Sequence, residues 1–158
     1  MLFMKITDGL ITEHRVFGAM FDYLERVLPD IDSLAEIQRL VGLIETLLRW
    51  HADVEENYVL IVLAYMLADR GQFDLLYDDE LHEMDNRWQK VRAAQSPEEA
   101  RRDFRTAMLF SRAHFAGEER RAFPLLEHEL QTETLSTLAS AWAVARGVAE
   151  PEALVSAA

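Results

Sequence analysis

Apolar residues in this chain recur at every third or fourth position over long stretches, and strand-type alternation never persists. Leu10, His14, Phe17, Phe21, Leu24 and Leu28 step by four and three along one face of a helix of about five turns. Pro29, Asp30, Ile31 and Asp32 end it. Ser33 and Glu36 then form a capping box for the next helix. A second stripe runs through Ile37, Leu40, Ile44, Leu47, His51, Glu55, Tyr58, Val62 and Tyr65. It closes at Asp69-Arg70-Gly71, with Gly71 as the residue just past the helix. A straight helix from Ser33 to Arg70 would be about 57 Å long at 1.5 Å per residue, so a bend or overhang is expected past Tyr58.

Tyr77, Leu81, Met84, Trp88 and Val91 give a third helix its apolar face. It stops before Ser96-Pro97-Glu98-Glu99, which places an N-cap, a proline at N1 and a Glu at N3 together. The fourth helix carries Ala107, Phe110, His114, Glu118 and Leu125, and Pro124 is expected to kink or end it. A shorter segment, about 133–146, has Leu135, Leu138, Ala139 and Trp142 to pack. Four long helices with short links predict an all-α, up-down-up-down four-helix bundle with a short fifth C-terminal helix. Its core is expected over about 8–130, with a frayed tail at 147–158 and one domain spanning the whole of 1–158.

Composition narrows the chemistry. Acidic residues outnumber basic ones 28 to 16 in the 158 residues, a formal charge of −12 that repels phosphate backbones; with no concentrated basic patch, nucleic acid is not an expected partner. Cys is absent, which removes disulfides, cysteine-ligated zinc or iron–sulfur centres and thiol nucleophiles. No stretch approaches the roughly 20 apolar residues of a membrane helix. Met1 to Leu10 reads as neither a secretory signal nor an anchor, and the expected location is cytoplasmic.

Histidine and carboxylate carry what remains. His14, His51, His82 and His114 fall one to each long helix. Two of them begin the same word, His-x-x-x-Glu-Glu, at His51-to-Glu56 and His114-to-Glu119. Positions i and i+4 share a helix face, so His51 with Glu55, and His114 with Glu118, each offer a nitrogen and an oxygen from one side. His14, His51, Glu55, His114 and Glu118 all lie on inward stripes, where uncompensated carboxylates are costly. A metal pair would offset them; Arg121, on the face of Glu118, is the protein alternative. His51 to Leu63 also aligns without gaps to His114 to Leu126, matching at His, Glu, Glu and Leu, which suggests two similar helical hairpins around two equivalent metals. His128, about 21 Å of helix beyond His114, belongs to the surface. Glu56 and Glu119 point about 100° further round, toward solvent or the outer side of the ligands. Tyr58 is expected as a buried phenol bonded to a bridging carboxylate, or as a further ligand.

This pattern resembles the hemerythrin-like family, the histidine-histidine-glutamate cation-binding domain. The resemblance rests on Glu13-His14-Arg15, the His51-to-Glu55 word, the lone His82, and the His114-to-Glu118 word followed by Phe123-Pro124-Leu125-Leu126. It implies a bundle around a non-haem di-iron centre, two irons per chain with an oxide or hydroxide bridge. The four histidines would be terminal ligands and Glu55 and Glu118 bridging carboxylates. The oxygen-carrying branch has a second histidine where this chain has Asn86, and an Asp where it has Glu119. Those departures count against reversible oxygen transport and leave the ligand set intact. Asn86 is expected beside the open coordination positions, bonded to water or a bound ligand. Three functions follow: a module binding or sensing oxygen, nitric oxide or iron; a peroxide-decomposing or other redox enzyme; and a metal-free helical interaction module. Ferritin-type iron oxidation is disfavoured, since its Glu-x-x-His signature is absent.

Overall fold

The computed structural model describes residues 4–67 and 78–149, of which 66, 67 and 78–82 are described as backbone alone. Among the described residues all regular structure is helical. Helix α1 (Ile6–Val27) opens where the Lys5 N–H donates to the Asp8 carboxylate at 2.8 Å, and a 3-10 turn at Leu28–Asp30, with Pro29 inside it, closes it. Helix α2 (Leu34–Glu55) starts at Ser33, whose hydroxyl accepts from the Glu36 N–H at 3.3 Å. A five-residue π-helical turn, Glu56–Leu60, leads into α3 (Ile61–Leu67). Helix α4 is Asp78–Ala93 and α5 is Pro97–Gly117. The Ser96 hydroxyl caps α5 by accepting from the Glu99 N–H at 3.1 Å, and the Glu99 carboxylate accepts from the Gln95 N–H at 2.8 Å. A second π turn, Glu118–Ala122, joins α5 to α6 (Phe123–Glu129), and α7 (Thr132–Ala145) follows.

The π turns correct the expected stripes. In each, an N–H reaches five residues back, from Ile61 to the Glu56 carbonyl and from Phe123 to the Glu118 carbonyl. Such a turn holds one residue more than an α turn, so the inward face moves on by one. Val59 and Leu63 are buried in place of Tyr58 and Val62, and Tyr65 is 86% exposed. Leu126 is likewise buried where Leu125 was expected. Pro124, expected to kink or end the helix, does not end it. It sits in the first turn of α6, directly after the widened turn. The closing signal at Asp69-Arg70-Gly71 and the residue Tyr77 lie outside the described residues, as does the Leu81 side chain.

The core has two apolar parts. One is built by Phe17, Phe21 and Leu24 of α1, Ile37 to Leu48 of α2, Met84, Trp88 and Val91 of α4, and Phe104, Met108 and Phe115 of α5. The other gathers Ile6 and Leu10 of α1, Val54, Val59 and Leu63, Phe123 and Leu126, and Leu135 and Ala139 of α7. Helix α1 runs from the second part to the first, and α2 passes them in the opposite order. His14 falls between the two parts on α1, His51 on α2 and His114 with Glu118 on the α5 side, so a buried polar layer separates them.

Helix α7 docks on α1 through Trp142, and Gly9 permits it: a Cβ there would lie 3.0 Å from the indole. Gly147, at φ +67°, ends α7 in the left-handed conformation, the Gly147 N–H donating to the Val144 carbonyl and the Val148 N–H to the Ala143 carbonyl. Among the described residues, no helix is long and apolar enough to cross a membrane.

Candidate metal centre

His14, His51 and Glu55 converge with Glu118 in the polar layer, each offering one donor atom, all within 4.8 Å of one another. All four are at least 95% buried. His14 Nε2 lies 3.2 Å from His51 Nε2, 3.5 Å from Glu55 Oε1 and 3.4 Å from Glu118 Oε2. His51 Nε2 lies 3.2 Å from the same Glu55 oxygen. His114, also buried, places Nε2 3.2 Å from the other Glu118 oxygen, Oε1.

The outer edges of two imidazoles each face a carboxylate. His14 Nδ1 meets the Glu119 carboxylate at 2.9 Å and His51 Nδ1 meets Glu13 at 2.6 Å. With each Nδ1 turned to a carboxylate, each Nε2 faces inward, the arrangement in which carboxylate-backed histidines bind metal. Phe115 and Phe123 stack near-parallel to the His14 ring, at 4.2 and 5.6 Å, and Phe17 packs at 5.4 Å from His51. An apolar cavity of about 280 Å³ reaches the outer side of His51 between Val16, Phe17, Leu47, Trp50 and Trp142.

Charge in the layer is poorly balanced by protein alone. Burial and the neighbouring Glu55 push the Glu118 carboxyl above its usual range. Burial also acts against an ionised Glu55, yet the His51 and His14 imidazoles beside it hold its pKa well down. Burial alone would lower His51, but Glu55 and Glu13 raise it to about 10. Glu55 Oε1 and Glu118 Oε2 are buried with no aligned hydrogen-bond donor among the described residues. Two carboxylate oxygens without donors, facing two imidazole nitrogens, form the donor set of a divalent cation site, and the residues present fit one.

The remaining expected residues fall as follows. His82 is in α4, and its side chain lies outside the described residues. Asn86 is exposed, since Met84, Trp88 and Val91 take the inward face of α4; the expectation that it borders the site is corrected. Glu56 is exposed, and so is Arg121, whose guanidinium lies over Gly117. Tyr58 is half-buried against the second apolar part and, among the described residues, makes no hydrogen bond to Glu55. The π turn has rotated it off the inward line. His128 is on the surface, its side chain 83% exposed. Glu13, Trp142 and Arg146 were not foreseen as site residues. Their sequence signals are a carboxylate flanking the α1 stripe and an i, i+4 Trp–Arg pair on the last helix.

Sequence comparison matches residues 5–126 to the family described as the hemerythrin HHE cation binding domain. No curated protein and no solved structure matches the chain.

Proposed function

Because the chain belongs to the hemerythrin HHE cation-binding family, we propose that it is a non-haem di-iron protein that binds or reacts with oxygen, nitric oxide or peroxide at a carboxylate-bridged centre. The observation that carries this reading is the division of one carboxylate between two histidines. Glu118 turns Oε2 toward His14 and Oε1 toward His114, as a carboxylate shared by two metals must. In this reading α1, α2 with α3, α4, and α5 with α6 are the four legs of an up-down-up-down bundle. His14, His51, Glu55 and Glu118 would hold one ion and His114 with Glu118 the second; on the family resemblance alone, Glu55 would also bridge and His82 would join the second.

Two irons so held supply redox equivalents and exchangeable coordination positions for a small ligand. The chain's own residues do the rest. Phe17, Phe115 and Phe123 keep the layer dry, which strengthens every charge interaction within it. Glu119 and Glu13 hold the ring orientation of His14 and His51 and turn both Nε2 atoms inward.

Metal analysis of protein made in iron-replete cells tests the reading: two irons per chain are expected, and less than one after reconstitution overturns it. Ferrous protein then meets oxygen, nitric oxide and peroxide in turn. Stoichiometric, reversible uptake marks a binding or sensing module, and steady turnover of peroxide marks an enzyme.

A further inference from the structure

Helix α7 lies beyond the matched residues 5–126, yet it reaches the centre. Glu13 stands between them. Its Oε1 accepts from the Trp142 indole N–H at 2.8 Å and the Arg146 Nε–H at 2.6 Å. Its Oε2 accepts from Arg146 Nη2 at 2.9 Å and meets His51 Nδ1 at 2.6 Å. The Arg146 side chain is only 5% exposed. Its third nitrogen, Nη1, donates to the Trp50 carbonyl at 3.0 Å, and the guanidinium lies 4.0 Å from the Trp50 ring, one residue before His51.

His14 and His51 are therefore backed unequally. His14 is backed by Glu119, whose side chain is 39% exposed and which, among the described residues, makes this contact alone. His51 is backed by a carboxylate clamped from two sides by a bidentate, half-stacked arginine, a geometry that Lys cannot reproduce. Fixing Glu13 fixes the direction of the His51 Nδ1–H bond, and with it the line along which His51 Nε2 points into the layer.

We propose that Arg146 is a positioning residue of the metal centre, acting through Glu13 on His51, so that α7 and the hemerythrin-like core form one functional unit. This rests on the reading of His51 as a metal ligand.

The test uses the full chain and Co(II) as probe, with affinity from competition titration and geometry from the visible ligand-field bands. Arg146→Gln and Glu13→Gln should each weaken Co(II) binding about tenfold to a hundredfold and alter the bands. The double variant should be no weaker than Glu13→Gln alone, because both act on one path. Thr137→Ala, on the exposed face of α7, should leave affinity within about twofold of wild type. If Arg146→Gln does not fold, Trp142→Phe removes one donor to Glu13 and keeps the ring, and a weakening in the same direction is expected. Wild-type affinity in Arg146→Gln or in its substitute, additive losses in the double variant, or an equal loss in Thr137→Ala overturns the proposal while the metal reading stands. A wild-type chain that takes up no Co(II) overturns both.

Discussion

Phe115 lies flat against the His14 imidazole, ring centroids 4.2 Å apart and planes 16° from parallel. Phe115 is itself 5% exposed, at the boundary between the polar layer and the first apolar part. The contact restricts rotation of the imidazole about its last torsion, which for histidine is otherwise broad. Phe115→Ala should lower stability by about 3–5 kcal/mol and reduce bound metal, whereas Phe115→Leu keeps more volume and should cost less. Urea unfolding with metal analysis of the same samples checks this. Full metal content in a folded Phe115→Ala protein would show that the stack does not orient His14.

Glu118 separates binding from stability. Its ionised form is disfavoured by burial and by Glu55. Glu118→Gln removes that burden but also the bridging oxygen, so the metal-free protein should be as stable as wild type or more so, while metal binding is lost. Calorimetry of both proteins in chelator, beside metal titration, reads the two effects apart. A large drop in metal-free stability would contradict the assigned charge balance.

Histidine substitutions should divide sharply. His51→Ala leaves Glu13 and Glu55 without their imidazole partner and should abolish tight metal binding. His128→Ala, on the surface beside Glu129, should change stability by less than about 0.5 kcal/mol and leave metal content unaltered. Equal damage from both would displace the site from the polar layer.

The metal-free protein should show a stability maximum in weakly acidic solution. Although burial opposes it, the bonds from His51 and Arg146 hold Glu13 at about 2, below its ordinary 4.5. That contribution is complete above about pH 4.5 and is lost as pH falls through 2. His51, raised to about 10 from 6.5, contributes fully below pH 6.5 and loses its contribution as pH rises through 10. The two describe one pair and count once. Glu118 works the other way, costing nothing below pH 4.5 and increasingly more above it. Melting temperatures in chelator should therefore peak between about pH 4.5 and 6.5. Glu13→Gln should flatten the acid limb; an unchanged limb would place the acid sensitivity elsewhere.

The parts of this site that lie within one helix turn were legible in the sequence. His51 with Glu55 and His114 with Glu118 are i, i+4 pairs, and local geometry alone puts each pair on one face. Burial of His14 followed from its place in the stripe between Leu10 and Phe17. What escaped depended on non-local or irregular structure. Counting 3.6 residues per turn through Glu56–Leu60 put Tyr58 inside, because a π turn leaves no signature in apolar spacing. Asn86 was assigned by likeness to a histidine position, but the packing of Met84 and Trp88 decides the face of α4. Glu13 has no visible task until α7, more than a hundred residues later, brings Trp142 and Arg146 onto it.

The two widened turns also change the course of the buried line along each helix. In a regular α-helix, residues four apart drift by about 40° per step, so a row of them winds around the axis. His51, Glu55, Val59 and Leu63 are four apart throughout and all buried, as are His114, Glu118, Ala122 and Leu126. A turn holding an extra residue takes out part of that winding, and each row runs closer to parallel with its own axis. The two rows are thus matched screws with the same correction at nearly the same height. Ligand and apolar residue share one seam, and neither has to give up its place for the other.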